Sequence, residues 1–255
     1  MKPLAILEEI GHLTYFGWRT LIALPSALRN LGESLHQFYR VLLGSLPIGL
    51  VAGLAIGLVL WMHVRAVIVR PPAGEAALQY LPTALALAVV LEFAPIGAGL
   101  IVAGRVGASL GAEIGAMRIT EQIDAVEVLG LSAMKQLVAP RVLACILTLP
   151  LLTIFMAVLA LSGAFAAEML TGTLNSLQYE TATWSGLRFE DVLPAIAKTG
   201  VFGFLVGISG CYFGMKATGG TEGVGLAATR GVELATLLVL LANVLLVRLI
   251  QFFVL

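Results

Sequence analysis

Five apolar stretches, each long enough to cross a lipid bilayer, constrain this sequence more than any other feature. A membrane-spanning helix needs about 20 mainly apolar residues. That requirement is met by residues 41–64, 76–104, 142–167, 192–215 and 232–254. Only 12% of the 255 residues are charged, against about 25% in an average soluble domain. The sequence therefore predicts an all-α integral membrane protein with five transmembrane helices.

The distribution of basic residues predicts which ends of these helices face the cytoplasm. Residues 1–40, 105–141 and 216–230 carry ten lysines and arginines, whereas the segments on the opposite side carry only Arg65, Arg70 and Arg188. Basic residues accumulate in cytoplasmic loops. We therefore expect a cytoplasmic N-terminus and, after five spans, a C-terminus on the periplasmic or outer side.

The first 40 residues are predicted to lie along the membrane surface. Six apolar side chains follow the three- to four-residue spacing of one helix face: Leu21, Leu24, Leu28, Leu31, Leu35 and Phe38. Pro25 suits the first turn of a helix, since its fixed φ matches and its missing N–H needs no partner there. We expect an interfacial helix that begins near Pro25. A soluble helix packed on a partner is the alternative.

Residues 118–130, RITEQIDAVEVLG, form the densest charge cluster in the chain and are called the coupling segment below. Charged residues recur at every third position: Arg118, Glu121, Asp124 and Glu127. Apolar residues occupy the other face: Ile119, Ile123 and Val126. This pattern predicts a cytoplasmic amphipathic helix between the second and third spans.

Glu92 and Lys198 are charged residues well inside apolar stretches. A charge there costs about 2.5–3.5 kcal/mol on insertion scales, so such residues usually face a cavity or each other. Pro95 is expected to kink the helix beside Glu92. Asp191 lies two helical turns before Lys198, on the same face unless Pro194 interrupts the helix. The alternatives are a buried structural hydrogen bond for Glu92 and a Lys198 side chain that extends to the interface.

Small residues at helical spacing, as in GLVAGLAIG at 49–57, predict close helix packing within the subunit or between two copies. The run GGTEGVG at 219–225 lacks the lysine of a nucleotide-binding loop, and we expect it to be a flexible turn between spans four and five. Cys145 and Cys211 lie in apolar runs and are expected to be packed free thiols.

The residue pattern indicates no enzyme. The three histidines are scattered, and neither a catalytic triad nor metal-ligand spacing is recognisable, so we expect no metal and no cofactor. Zero net charge gives no field that would attract nucleic acid. If the protein uses ATP, the ATPase is a separate chain.

Several motifs together resemble the MlaE/YrbE family, the permease subunits of ABC transporters that move lipids with MCE proteins. The core of the resemblance is GRVGASLGAEIGAMRITEQIDAVEVLG, followed by PRVLACILTLPLL. The amphipathic N-terminus, LEFAP, the Asp191/Lys198 pair and GGTEGVGLAATRGV before the last span extend it over nearly the whole chain.

The resemblance implies a homodimeric permease in a bacterial-type inner membrane. Residues 1–40 would form an interfacial elbow helix region and residues 41–255 a five-helix permease domain. Its transport activity would move phospholipid or a related lipid between membranes of the cell envelope. Its expected partners are an ABC ATPase subunit, an MCE-domain protein on the outer side, membrane lipid and a small cytoplasmic accessory subunit.

The resemblance also assigns roles to individual residues. The lipid-path residues would be Glu92, Asp191 and Lys198. The residues of a coupling helix that docks on the ATPase would be Arg118, Glu121, Gln122, Asp124 and Glu127.

The chain departs from the family pattern at three positions in the membrane. The family commonly has an arginine and a glycine where this chain has Leu91 and Ala94, and an aspartate where it has Asn243. The differences at Leu91 and Ala94 change the charge expected near the lipid headgroup. The difference at Asn243 removes any proton or salt-bridge role of the aspartate. The alternative function is a secondary transporter or channel that uses Glu92 and Lys198 as an ion relay.

Overall fold

The computed structural model describes residues 3–69, 75–171 and 174–254. Lys2 and Arg70, which were counted in the prediction of orientation, lie outside them. Within these residues the chain is built of helices. They are α1 (Pro3–Arg29), α2 (Leu31–Ile68), α3 (Ala77–Ile119), α4 (Gln122–Val128), α5 (Met134–Thr171), α6 (Ser176–Gly186), α7 (Phe189–Met215) and α8 (Gly220–Val254). Short π-helical turns interrupt α3 at Val89–Phe93 and Ala103–Gly107.

Five helices are long and apolar enough to span a membrane, which confirms the predicted all-α class and the number of spans. They are α2, α3, α5 and α7, together with α8 over Gly220–Phe252. Each of the five helices is longer than the apolar stretch predicted for it. Helix α3 begins one residue later than its predicted stretch but ends well beyond it, and α8 begins well before its stretch. A helix can continue past the bilayer core because its backbone hydrogen bonds are internal and tolerate water equally well.

The prediction that a helix begins at Pro25 is wrong. Pro25 lies inside α1, which continues to Arg29. A proline removes one backbone hydrogen bond, and the helix accommodates that loss here. The break comes instead at Asn30, a residue type that disfavours helix interiors, and its N–H contacts the carbonyls of Ser26 and Ala27 at 3.3 and 3.2 Å. Leu31, Leu35 and Phe38 therefore belong to α2. The predicted boundary at residue 40 stays a prediction.

The prediction that residues 219–225 form a flexible turn is also wrong beyond its first two glycines. Gly219 and Gly220 have φ angles of 90° and 70°, which glycine adopts without steric cost. From Gly220 onward the chain is α8. Glu222 lies in the first turn of this helix, where a negative charge interacts favourably with the helix dipole.

The described helices contribute to two compact units, and each is considered by itself. The first comprises residues 1–44, 102–149 and 200–242. Glycines bring its helices together closely: a Cβ on Gly111 would lie 2.7 Å from the carbonyl oxygen of Ala227, and one on Gly203 2.4 Å from that of Cys145. Cys145 and Cys211 are fully buried in this unit as free thiols, as predicted.

The second unit comprises residues 45–101, 150–199 and 243–255. Here α2 packs against α5 through the predicted glycine ridge. A Cβ on Gly53 would lie 2.7 Å from the carbonyl oxygen of Met156, and one on Gly57 1.9 Å from that of Ala160. The small-residue run is thus used for packing within this unit, where a larger side chain would force the helices apart.

Gly57→Ala is expected to destabilise the protein by about 1–3 kcal/mol, the usual range for an overpacked site. The measurement is the melting temperature in detergent. Gly32→Ala is the matched control, because Gly32 lies in the same helix and a methyl group added there would have nothing within 4 Å. An unchanged melting temperature for Gly57→Ala would contradict the close α2–α5 contact.

Candidate functional site

Glu92, Lys198 and Asn243 form a polar cluster, called the Glu92 cluster below, inside the second unit. Lys198 Nζ lies 3.2 Å from Glu92 Oε2. Asn243 Nδ2 donates a hydrogen bond to the same carboxylate oxygen at 3.2 Å. The Lys198 side chain is only 2% exposed, whereas that of Glu92 is 37% exposed. The two intramembrane charges therefore face each other, one of the outcomes expected for such residues.

Pro95 explains how Lys198 reaches a second acceptor. In a regular helix the N–H of residue 95 would bond to the carbonyl of Leu91, but proline has no N–H. Lys198 Nζ donates to that carbonyl oxygen at 2.7 Å. The π-helical turn Val89–Phe93 ends just before this proline, and such turns often occur at functional sites. The LEFAP sequence thus provides both the carboxylate and the backbone acceptor for the lysine.

The Glu92 cluster borders a cavity of about 320 Å³. Glu92, Asp191 and Lys198, the three predicted lipid-path residues, all line it. Pro194 lies within α7 without ending the helix, so Asp191 and Lys198 share a face. Val247 and Ile250 from α8 form an apolar side. Acidic, basic and apolar groups therefore meet in one cavity.

Arg188 is a cavity-lining residue that the sequence analysis used only for orientation. It precedes α7 by one residue, outside the apolar stretch, so neither its spacing nor its hydropathy indicated a place beside Lys198. Together with Lys198 it gives the cavity two cations. Guanidinium and ammonium groups are the side chains that bind phosphate most strongly.

Asn243 retains a contact at the position where the family commonly has an aspartate. Its amide donates to Glu92, and its Oδ1 is buried with no hydrogen-bond partner among the described residues. A neutral amide cannot exchange a proton with Lys198 or Glu92 in the physiological range. Asn243 therefore positions the carboxylate without adding a charge to the cluster.

Glu168 is a fully buried acid that was not identified from the sequence. Its carboxylate accepts a 2.7 Å hydrogen bond from Trp61 Nε1 and lies 3.5 Å from Arg65 Nε. Burial, and secondarily the charge of Glu168, raises the pKa of the nearby Tyr179 hydroxyl above its ordinary value. The position of Glu168 at the end of an apolar stretch was the available signal for its burial.

The coupling segment is two pieces of helix, which corrects the prediction of a single one. Arg118 and Ile119 end α3, Glu121 has a left-handed φ of 60°, and α4 follows. Ile123, on the predicted apolar face, is buried, but Asp124 forms an ion pair with Arg118 of the same chain. Two of the charged residues that were expected to contact the ATPase are therefore paired with each other.

The exposed surface of the coupling segment is therefore smaller and more apolar than the sequence indicated. Glu121, Gln122 and Glu127 are exposed, and so are Val128 and Leu129, at 87% and 76%. Apolar side chains this exposed on a charged loop are typical of a contact surface for another protein.

The segment is anchored by a buried ion pair in the first unit. Arg141 Nη2, on a side chain that is 4% exposed, donates to Glu113 Oε1 at 2.6 Å. Arg40 approaches the other carboxylate oxygen of Glu113 at 3.4 Å. Helices α2, α3 and α5, the last two of which flank the segment, are thereby held by one carboxylate.

Comparison with known proteins places the chain among membrane transport subunits. The family model described as Permease MlaE matches residues 34–249. A probable ABC transporter permease protein of Rickettsia felis is 32% identical over 97% of this chain and 94% of its own length. One from Rickettsia bellii is 41% identical over 66% of this chain and 65% of its own length.

A plant relative is also similar. Protein TRIGALACTOSYLDIACYLGLYCEROL 1, chloroplastic, of Arabidopsis thaliana is 34% identical over 62% of this chain and 45% of its own length. The family match covers most of the chain and includes the motif core that begins at GRVGASLG. The five helices long enough to span a membrane are consistent with a permease. The chain belongs to the MlaE permease family.

Proposed function

We propose that this ABC transporter permease moves phospholipid or a related lipid between membranes of the cell envelope, driven by a separate ATPase subunit. The observation that carries the proposal is the cavity at the Glu92 cluster. Cations from Arg188 and Lys198 line the same cavity as the apolar residues Val247 and Ile250. A phospholipid needs this combination, because its phosphate and its acyl chains require opposite surroundings.

The three lipid-path residues have separable roles in this proposal. Lys198, with Arg188, attracts the phosphate. Glu92 holds the Lys198 ammonium in place through the 3.2 Å contact. Asp191, on the same face of α7, contacts the polar part of the headgroup. The Arabidopsis relative is named after a galactolipid, trigalactosyldiacylglycerol. This name supports lipid as the class of molecule that the permease transports.

The partners follow from the same proposal. The coupling segment docks on the ATPase through Glu121, Gln122 and Glu127, beside Val128 and Leu129, while Arg118 and Asp124 shape the surface through their ion pair. Two copies of the chain associate, and an MCE-domain protein binds on the outer side. Helix α1 serves as the elbow helix, with exposed Tyr15, Trp18 and Ile22 in the interface of an inner membrane.

The alternative, a secondary transporter or channel with Glu92 and Lys198 as an ion relay, needs neither an ATPase nor a lipid cavity. It predicts activity that depends on an ion gradient. The ion pair between Glu92 and Lys198 fits both functions, but the exposed apolar tip of the coupling segment, Val128 and Leu129, fits only the one with a soluble partner.

Glu92→Gln tests the lipid path with little disturbance of packing. Glutamine keeps the shape of the side chain and an oxygen that accepts from Lys198 and Asn243, but it removes the negative charge. We expect a changed amount of co-purified phospholipid, with the melting temperature lowered by a few degrees at most. Normal lipid content together with a large loss of stability would instead assign Glu92 a structural role only.

Cysteine labelling tests the orientation. Gln178→Cys is expected to react with an impermeant thiol reagent added from the outer side, and Ser132→Cys only after the membrane is opened. Both positions are exposed, and the native Cys145 and Cys211 are buried and remain unlabelled. Labelling of position 132 in intact cells would contradict the proposed orientation. It would place the coupling segment on the outer side, where a cytoplasmic ATPase could not bind it.

A further inference from the structure

A second polar and apolar groove lies in the first unit, away from every residue assigned to the lipid path. Two adjoining cavities of about 400 and 310 Å³ share Glu9, Phe213 and Arg230 as lining residues. Helix α1, the end of α7 and the first half of α8 form their walls. We call them together the N-terminal groove.

The groove is lined by two acidic and two basic residues that do not pair with each other. Glu9, Glu233, Lys216 and Arg230 line it. Among the residues whose side chains the structure describes, none of these four forms an ion pair. Lys216 instead donates to the Tyr212 hydroxyl at 2.5 Å and lies 4.4 Å from the centre of its ring. Two cations and two carboxylates thus face a common space.

The remaining wall of the groove is apolar. Ile10 and Leu13 come from α1, and Leu234 and Leu237 from α8. The floor is fixed, because the buried Tyr212 packs edge-on against Phe16 with ring centres 5.6 Å apart. A groove lined by both charged and apolar side chains is suited to an amphiphile.

We propose that the N-terminal groove binds the headgroup and the upper acyl chain of a zwitterionic glycerophospholipid, such as phosphatidylethanolamine. Lys216 and Arg230 bind the phosphate by charge-assisted hydrogen bonds. Glu9 and Glu233 bind the ammonium group. A lipid whose headgroup is only negative offers no cation to Glu9 and Glu233 and is repelled by them. The charges of the groove therefore favour a zwitterionic headgroup. The inference rests on the proposed function for lipid as ligand and for the cytoplasmic position of the groove.

Native mass spectrometry of the delipidated full-length protein in detergent, titrated with phosphatidylethanolamine, tests the site. Lys216→Ala/Arg230→Ala is expected to weaken the binding of one lipid at least about a hundredfold, because two charge-assisted hydrogen bonds are lost. Arg29→Ala/Lys135→Ala removes the same charge from exposed positions outside the groove and is expected to bind as the wild type does. Equal binding by both double variants would overturn the inference.

Selectivity gives an independent readout. The wild type is expected to prefer phosphatidylethanolamine to phosphatidylglycerol at this site, and Glu9→Gln/Glu233→Gln to lose that preference. Inorganic phosphate is expected not to compete, because it makes no contact with the apolar wall. Competition by phosphate at the same concentration as lipid, or equal wild-type affinity for both lipids, would contradict a zwitterionic lipid site.

The outcome is separable from the proposed function. If Glu92→Gln changes lipid content and the groove variants do not, the inference fails and the lipid path stands. If only the groove variants change lipid binding, the inference stands and the lipid path through Glu92 fails. Absence of any bound phospholipid from the wild type would contradict both.

Discussion

Replacing Glu92 with leucine is expected to destabilise the folded chain by about 3 kcal/mol, because it leaves the Lys198 ammonium buried without its counter-charge. The Lys198 side chain is 2% exposed and would keep only the Leu91 carbonyl as an acceptor. Lys198→Met is expected to cost less, since the remaining Glu92 carboxylate is 37% exposed and can be hydrated. Melting temperatures of the two single variants in the same detergent measure this asymmetry.

The double variant Glu92→Leu/Lys198→Met separates stability from transport. Replacing both members of a buried ion pair with apolar residues of similar size is often neutral for stability. The double variant should therefore regain most of the stability lost in Glu92→Leu, yet remain inactive in lipid transfer. Full activity in the double variant would show that the pair has no part in transport. Equal destabilisation by both single variants would contradict the asymmetric burial.

Reversing charge at the exposed acids of the coupling segment, Glu121→Lys/Glu127→Lys, is expected to abolish co-purification of the ATPase subunit. Loss of a charged contact at a protein interface costs about 2–5 kcal/mol per residue, and two such losses correspond to at least about a 10³-fold weaker complex. Asp124 is unsuitable for this test because it pairs with Arg118 within the chain. The measurement is the yield of ATPase recovered with the tagged permease.

Glu180→Lys/Glu190→Lys provides the matched control, with the same change of charge at exposed positions on the opposite side of the membrane in the proposed orientation. It should leave the ATPase yield unchanged. Recovery of the ATPase at wild-type yield with Glu121→Lys/Glu127→Lys would remove the coupling segment from the interface. A Val128→Asp variant then shows whether the exposed apolar tip carries the contact instead.

The number of spanning helices followed from the sequence because a bilayer imposes a minimum apolar length, which composition alone reveals. Helix ends did not follow. The start of α8 lies at two glycines with positive φ angles, Gly219 and Gly220, and α1 continues through Pro25. Hydropathy describes neither.

The site was predictable where energetic cost makes a residue conspicuous. Glu92 and Lys198 stand out because a charge in an apolar stretch is expensive, and the structure pairs them. Arg188 did not stand out, since it lies outside the apolar stretch. Asn243 carries no charge and was noticed only as a departure from the family pattern. The ion pair between Arg118 and Asp124 depends on the turn at Glu121, whose left-handed conformation has no clear sequence signal.

Lipid transfer by the permease–ATPase complex reconstituted in proteoliposomes tests the central claim most directly. Labelled phospholipid is followed with ATP, with a non-hydrolysable ATP analogue, and with an imposed proton or sodium gradient. The account predicts transfer that requires ATP and the ATPase subunit, and that falls at least about tenfold with Glu92→Leu/Lys198→Met. Ion movement by the permease alone along a gradient, without ATP-dependent lipid transfer by the complex, would contradict it.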